Sequence, residues 1–165
     1  VEVIILQKRQ SPNVSHPSTG ITAQESSEIL QNAPIGIFTS TPEGRFLDAN
    51  PTLARMFGYG SPEELIDSVK DIAEELYADP EDRPKIMRYL ETLDEGCSME
   101  CRFVRRDGSF FWGSNNARPV KDAKGRVVHY QGFLIDITKR KEAERALEEN
   151  ERLFRGVFEQ SFDYL

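Results

Sequence analysis

Residues 97–138 read CSMECRFVRRDGSFFWGSNNARPVKDAKGRVVHYQGFLIDIT. Apolar and polar residues alternate along much of this stretch, the two-residue period of a half-buried strand. CSMECRFVRR, SFFWGSNNARPVK and RVVHYQGFLIDIT form three such runs. Arg106-Asp107-Gly108-Ser109 joins the first pair and Asp122-Ala123-Lys124-Gly125 the second, both with the composition of hairpin turns. The alternation sorts side chains between two faces, so if Phe103 points inward, Met99 and Cys101 do too. Three antiparallel strands in series leave one apolar face that other elements must cover.

The cover is encoded upstream. AQESSEILQNAP reads as a short helix that stops before Pro34. IGIFTST and RFLDAN, separated by TPEG, predict a hairpin. Asn50-Pro51 supplies an N-cap and a first helical proline, Leu53, Met56 and Phe57 follow at helical spacing, and Gly58 is placed to end the turn. Ser61 and Glu64 have the spacing of a capping box. Asp79-Pro80-Glu81-Asp82 opens a helix whose apolar stripe is Ile86, Tyr89, Leu90 and Leu93. The acidic run DPEDR reads as a helix start and a solvated face. After Thr138 comes KRKEAERALEENERLF, a charged helix. The order of elements predicts an α+β domain: a five-stranded antiparallel sheet with short helices over one face, flanked by an N-terminal helix and a C-terminal exit helix.

Composition narrows the function. The chain has 165 residues, 38% hydrophobic and 30% charged, with a net charge of −7. That fits one core with flanking segments. An acidic chain is repelled by nucleic acid and by anionic lipid, so neither is an expected partner, and no run is long and apolar enough to span a membrane. The two cysteines, Cys97 and Cys101, have no histidine close by in sequence and read as small buried residues in a reducing compartment, which points to the cytoplasm. Residues 1–21 read as linker or as the end of a preceding domain, since SPNVSHPSTG has no period and EVIILQKR loosely echoes FLIDITKR.

Four stretches together, ILQNAPIGIFTSTPEGRFLDANPTLARMFGY, ADPEDRPKI, ECRFVRRDGSFFW and GFLIDITKRKEAE, resemble the PAS family of sensory domains, over roughly residues 22–138. The resemblance implies a module of a bacterial or archaeal multidomain signalling protein, such as a sensor histidine kinase or diguanylate cyclase. Asp136-Ile137-Thr138 matches the family's signature at the junction between sheet and output helix, where such domains relay their signal. By resemblance to flavin-binding members, Phe111, Gly113, Asn115 and Ala117 face inward, followed by Tyr130, Gly132 and Leu134 on the last strand, with Phe38 and Ser40 from the first. The ligand-binding set implied is Phe38, Ser40, Met99, Cys101, Phe103, Phe111, Gly113, Asn115, Tyr130 and Leu134. Asn115 is the most informative member, because a buried amide needs several hydrogen-bond partners. Small Gly113 and Ala117 beside it leave room. Parity places Trp112 and Phe110 on the outer face, where the helix around Ile29 and Leu30 or a second subunit is expected to cover them.

The cofactor is left unknown. Haem is disfavoured because residues 80–95 contain no histidine, and a covalent flavin because DSVKDIAEELYA contains no cysteine; a noncovalent flavin stays open. His16 and His129 sit on unrelated elements, so no nucleophile has a base, and the chain reads as non-catalytic. Two functions stay open: a ligand-sensing module that controls an output domain in the same polypeptide, and a ligand-free module for dimerisation and relay.

FRGVFEQSFDYL at the end repeats the pattern of SSEILQNAPIGI at residues 26–37. Residues 154–165 therefore read as the truncated start of a second PAS-like domain, and residues 139–153 as the signalling helix between copies. Ala143, Leu147, Asn150, Phe154 and Val157 have the 4-3-4-3 spacing of a parallel coiled-coil seam, so a homodimer is expected.

Overall fold

A computed structural model of the chain describes residues 3–4, 22–92 and 96–162, with side chains described over 22, 25–92 and 96–155. Most of the expected linker, Leu93, the Val157 side chain and residues 163–165 lie outside them.

The sheet is antiparallel throughout. In chain order its strands are β1 (Val3–Ile4), β2 (Gly36–Ser40), β3 (Phe46–Ala49), β4 (Cys97–Val104), β5 (Phe110–Lys121) and β6 (Val127–Asp136), arranged in space as β1-β4-β5-β6-β2-β3. The five strands expected from sequence are β2 to β6. Val3 and Ile4 add a two-residue strand at the β4 edge, opposite Met99 and Ser98. β2 pairs with β6, so the N-terminal hairpin docks beside the last strand and closes the order.

Among the described residues six helices accompany the sheet: α1 (Ala23–Asn32), α2 (Pro51–Phe57), α3 (Pro62–Ser68), α4 (Ile72–Leu76), α5 (Asp82–Thr92) and α6 (Thr138–Phe162). Their ends follow the capping residues. Asn50 Oδ1 accepts the Leu53 N–H at 2.9 Å, and Gly58 closes α2 in the left-handed region at φ 83. Ser61 accepts the Glu64 N–H, but the Glu64 carboxylate turns to the Gly60 N–H instead of back to Ser61, so the box is half made. α6 runs unbroken past residue 153, the expected end of the signalling helix. No helix among the described residues is long and apolar enough to cross a membrane.

α2 to α5 cover the inner face. Ile86 and Leu90 of α5 are buried against it, whereas Tyr89 is 45% exposed. Burial of a leucine such as Leu53, Leu65 or Leu90 contributes about 1.5–3 kcal/mol. The strand parity holds. Cys97, Met99, Cys101 and Phe103 on β4 and Phe111, Gly113, Asn115 and Ala117 on β5 are buried, and their alternates are more exposed. Gly132 lets β5 and Phe38 close in, since a Cβ there would lie 2.3 Å from the Asn116 carbonyl oxygen.

Two local readings need correction. DPEDR is a solvated face only in part: Asp79 and Glu81 are exposed, but Asp82 and Arg83 are buried, because the loop before α5 folds this turn onto the β2–β3 hairpin. Trp112 does lie on the outer face. Among the described residues its ring is covered by Lys141 of the exit helix, whose Nζ sits 5.4 Å from the ring centre, and not by Ile29 and Leu30 of α1, which stay exposed. Phe110 is 54% exposed under the Arg102 guanidinium.

Candidate functional site: a cavity and the junction it reaches

Between sheet and helices lies a cavity. Its walls come from Phe38, Ser40, Phe103, Asn115, Ala117, Tyr130 and Leu134 on the sheet, and its roof from Leu53, Phe57, Ile72, Leu76, Tyr77, Arg83 and Met87. The space open to the centre of a water-sized sphere is about 30 Å³, room for roughly one water. Aromatic rings set its shape. Phe103 tilts against Tyr77 at 4.7 Å and meets Phe57 edge-on at 5.8 Å.

Six of the ten residues that the family resemblance nominates border this cavity: Phe38, Ser40, Phe103, Asn115, Tyr130 and Leu134. Met99, Cys101, Phe111 and Gly113 face the same way but do not reach it. Met99 and Cys101 are buried on β4, the strand against which α5 packs. Phe111 lies beyond Phe103, stacked on it at 5.5 Å. The room expected at Gly113 is taken, since a Cβ there would fall 2.7 Å from both the Leu134 Cδ1 and the Phe103 ring. Burial pushes the Cys101 thiol up to about 12, with nearby Asp82 adding to it, so at neutral pH it is an unreactive thiol.

Two buried amides behave differently. Asn50 Oδ1 accepts from the Leu53 and Ile37 N–H groups, and its Nδ2 donates to the Leu30 and Ile35 carbonyls. Asn115 Nδ2 donates to the Tyr77 hydroxyl at 2.9 Å, and its Oδ1 is buried with no partner among the described residues. Burial raises the Tyr77 phenol pKa strongly, so that hydroxyl stays protonated and keeps a hydrogen to give.

The second part of the site is the start of α6. Asp136 Oδ1 accepts the Thr138 N–H at 2.9 Å, Thr138 Oγ1 accepts the Trp112 N–H at 3.0 Å, and the Ile137 N–H donates to the Trp112 carbonyl at 2.8 Å. Arg105 holds the other Asp136 oxygen at 3.1 Å, lies 4.3 Å over the Phe111 ring and donates to the Met56 carbonyl. Burial pushes the Asp136 carboxyl up, yet the Thr138 hydrogen bonds and Arg105 outweigh this and leave it below its ordinary value. One turn later, Glu100 on β4 binds Lys141 at 2.6 Å and also Arg140, and Lys141 leads the causes that hold its carboxyl low.

A continuous path therefore joins the two parts. Phe57 and Phe103 line the cavity, both touch Phe111, Phe111 carries Arg105, and Arg105 holds Asp136. Tyr77, Arg83, Arg105 and Glu100 were not singled out from sequence. Ala143, Leu147, Asn150 and Phe154 all lie on the exposed surface of α6.

The chain is similar to known proteins. The chain is 32% identical over 124 residues to the bacterioopsin transcriptional activator of Halobacterium salinarum, an alignment that spans 73% of this chain and 18% of that protein. It is 26% identical over 136 residues to the sensor histidine kinase TmoS of Ectopseudomonas mendocina, spanning 77% of this chain and 13% of that one. Among solved structures, an RNA-binding light-oxygen-voltage receptor superposes with a TM-score of 0.62 at 26% identity, covering 83% of this chain and 41% of the receptor. The chain thus spans less than a fifth of the length of either curated relative. The sequence profile of the PAS domain matches residues 34–139, the stretch that builds β2 to β6, the cavity and the junction, and this chain belongs to the PAS domain family, the sensory and non-catalytic module of signalling proteins.

Proposed function

We propose that the domain senses a small molecule in the cavity and passes a conformational change through Asp136, Ile137 and Thr138 into α6 and on to an output domain in the same polypeptide. The observation that carries this reading is the unpartnered, buried Oδ1 of Asn115 at the cavity wall. An acceptor left without a donor costs about 1–3 kcal/mol, and a ligand hydroxyl or amine removes that cost. Binding anything larger than a water requires the roof to shift, so the liganded and free states differ in structure, as a sensor needs. The aromatic path to Arg105 gives that shift a mechanical connection to the α6 cap. We assign the two-fold partner to a second copy of this chain, meeting along Ala143, Leu147, Asn150 and Phe154, and the location to the cytoplasm, where two buried free thiols persist.

The tight cavity also favours a second reading, a ligand-free module for dimerisation and relay. Native mass spectrometry of the chain purified without denaturant separates the two. A bound small molecule that is lost in Asn115→Ala, together with slower hydrogen exchange at Ile137–Lys141 when it is present, supports sensing. A bare mass under every growth condition, with no small-molecule shift of the Asn115 amide resonances, selects the second reading.

A further inference from the structure

We propose that the cavity is built for an anion, a small carboxylate held by Arg83; this rests on the cavity being a ligand site. Arg83 is 7% exposed, in the first turn of α5, and borders the cavity. Its guanidinium donates to the carbonyls of Thr41 at 3.0 Å and Pro42 at 3.3 Å, which occupies two of five N–H groups and neutralises no charge. Among the described residues no carboxylate lies within 4.0 Å of it. The nearby acids make no direct contact with it: Asp82 binds Lys85, Asp71 caps α4, and Glu43, exposed on the hairpin turn, feels Arg83 only through space, as the last of the influences on its carboxyl. A guanidinium does not shed its proton, and a buried ion without a counter-charge is unfavourable. A solute supplies the carboxylate in direct contact that the described residues do not.

The rest of the lining fits that solute. Ser40 and Tyr130 border the cavity and their hydroxyls make no hydrogen bond to the described residues, and Tyr77 has a proton to give. Arg83 and three hydroxyls thus offer donors, and Asn115 Oδ1 is the acceptor. This asymmetry matches a carboxylate that also bears a hydroxyl or amino group, its oxygens toward Arg83 and its donor toward Asn115. A volume near 30 Å³ does not hold even a two-carbon acid as it stands, so the solute is kept to two or three carbons and is seated only when the flexible Met87 in the roof changes rotamer.

Glycolate and its neutral isostere glycolamide test the charge directly. Each is titrated into isotopically labelled chain at ionic strength matched with sodium chloride, following the Asn115 side-chain amide and the Arg83 Nε–H by NMR. The expected result is saturable movement of both signals by glycolate, with glycolamide weaker by about tenfold or more. Arg83→Met, checked for folding by its backbone spectrum, loses the glycolate response. Tyr130→Phe leaves the Arg83 contacts to the Thr41–Pro42 turn intact and weakens glycolate several-fold. Equal binding of the two solutes, or glycolate shifts confined to surface lysines while glycolamide moves Asn115, overturns the anion assignment and leaves the cavity reading standing. No response of Asn115 to either solute, with a bare mass in the native spectrum, removes both.

Discussion

Replacing Tyr77 by Phe takes one hydroxyl out of the core and changes little else in shape. In the wild type that hydroxyl accepts the one protein hydrogen bond made by the Asn115 amide. Without it, Nδ2 joins Oδ1 as a buried group with no partner, so Tyr77→Phe is expected to destabilise the domain by about 1–3 kcal/mol. Asn115→Leu removes the orphaned oxygen, a gain of similar size, but strands the Tyr77 hydroxyl, and its net effect is expected to lie within about 1 kcal/mol of zero. The double variant has no buried polar atom at either position. It loses one hydrogen bond, worth about 0.5–1.5 kcal/mol net, and sheds one unmatched acceptor, so its expected stability equals or exceeds that of the wild type. The two changes are therefore strongly non-additive, as neighbours in one network are. Urea unfolding of the four proteins, followed by circular dichroism, measures the cycle, with equal m values as the check that only stability moved. If Tyr77→Phe is neutral and the double variant falls below the wild type, then Oδ1 is already satisfied in solution and the argument from the orphaned amide fails.

Arg105→Met keeps an unbranched side chain but removes the guanidinium from Phe111 and releases Asp136; hydrogen exchange at Ile137–Lys141 should quicken while the β5–β6 amides stay protected, and uniform loss of protection would show that Arg105 is merely structural. The Glu100 carboxyl is held low by Lys141 and Arg140, so its contribution is present above the ordinary value of 4.5 and is lost as pH falls through the folded value. Trp112, the one tryptophan of the chain, lies against Lys141 and should report this as a fluorescence change below pH 4.5 that Glu100→Gln abolishes; an unchanged acid transition in the variant would exclude the pairing as its cause. In a background lacking Cys97 and Cys101, Leu147→Cys should cross-link two copies and Glu148→Cys should not, and equal reactivity with a monomeric mass would remove the proposed seam.

What could be read directly from the chain was local. The strand period of residues 97–138 assigns each side chain to a face, because backbone pleating is a property of neighbouring residues. Asn50 and Gly58 mark the ends of α2 for the same reason: a cap bonds within three or four positions. The junction at Asp136-Ile137-Thr138 was legible only through its match to the family's signature, and the structure adds a capping bond that spans two residues. Facing inward, however, is not the same as bordering the cavity. Gly113 does the former only, since Phe103 and Leu134 fill the space its missing side chain leaves, and that depends on which rings the register of β4, β5 and β6 brings together. Tyr77 meets Asn115 across 38 positions, Arg83 reaches the Thr41 carbonyl across 42, and Arg105 reaches Asp136 across 31. No pattern in the sequence ties these partners together. Their meeting follows from how short helices seat on a twisted sheet, so an arginine that reads as part of a solvated acidic run becomes a buried charge at the cavity wall.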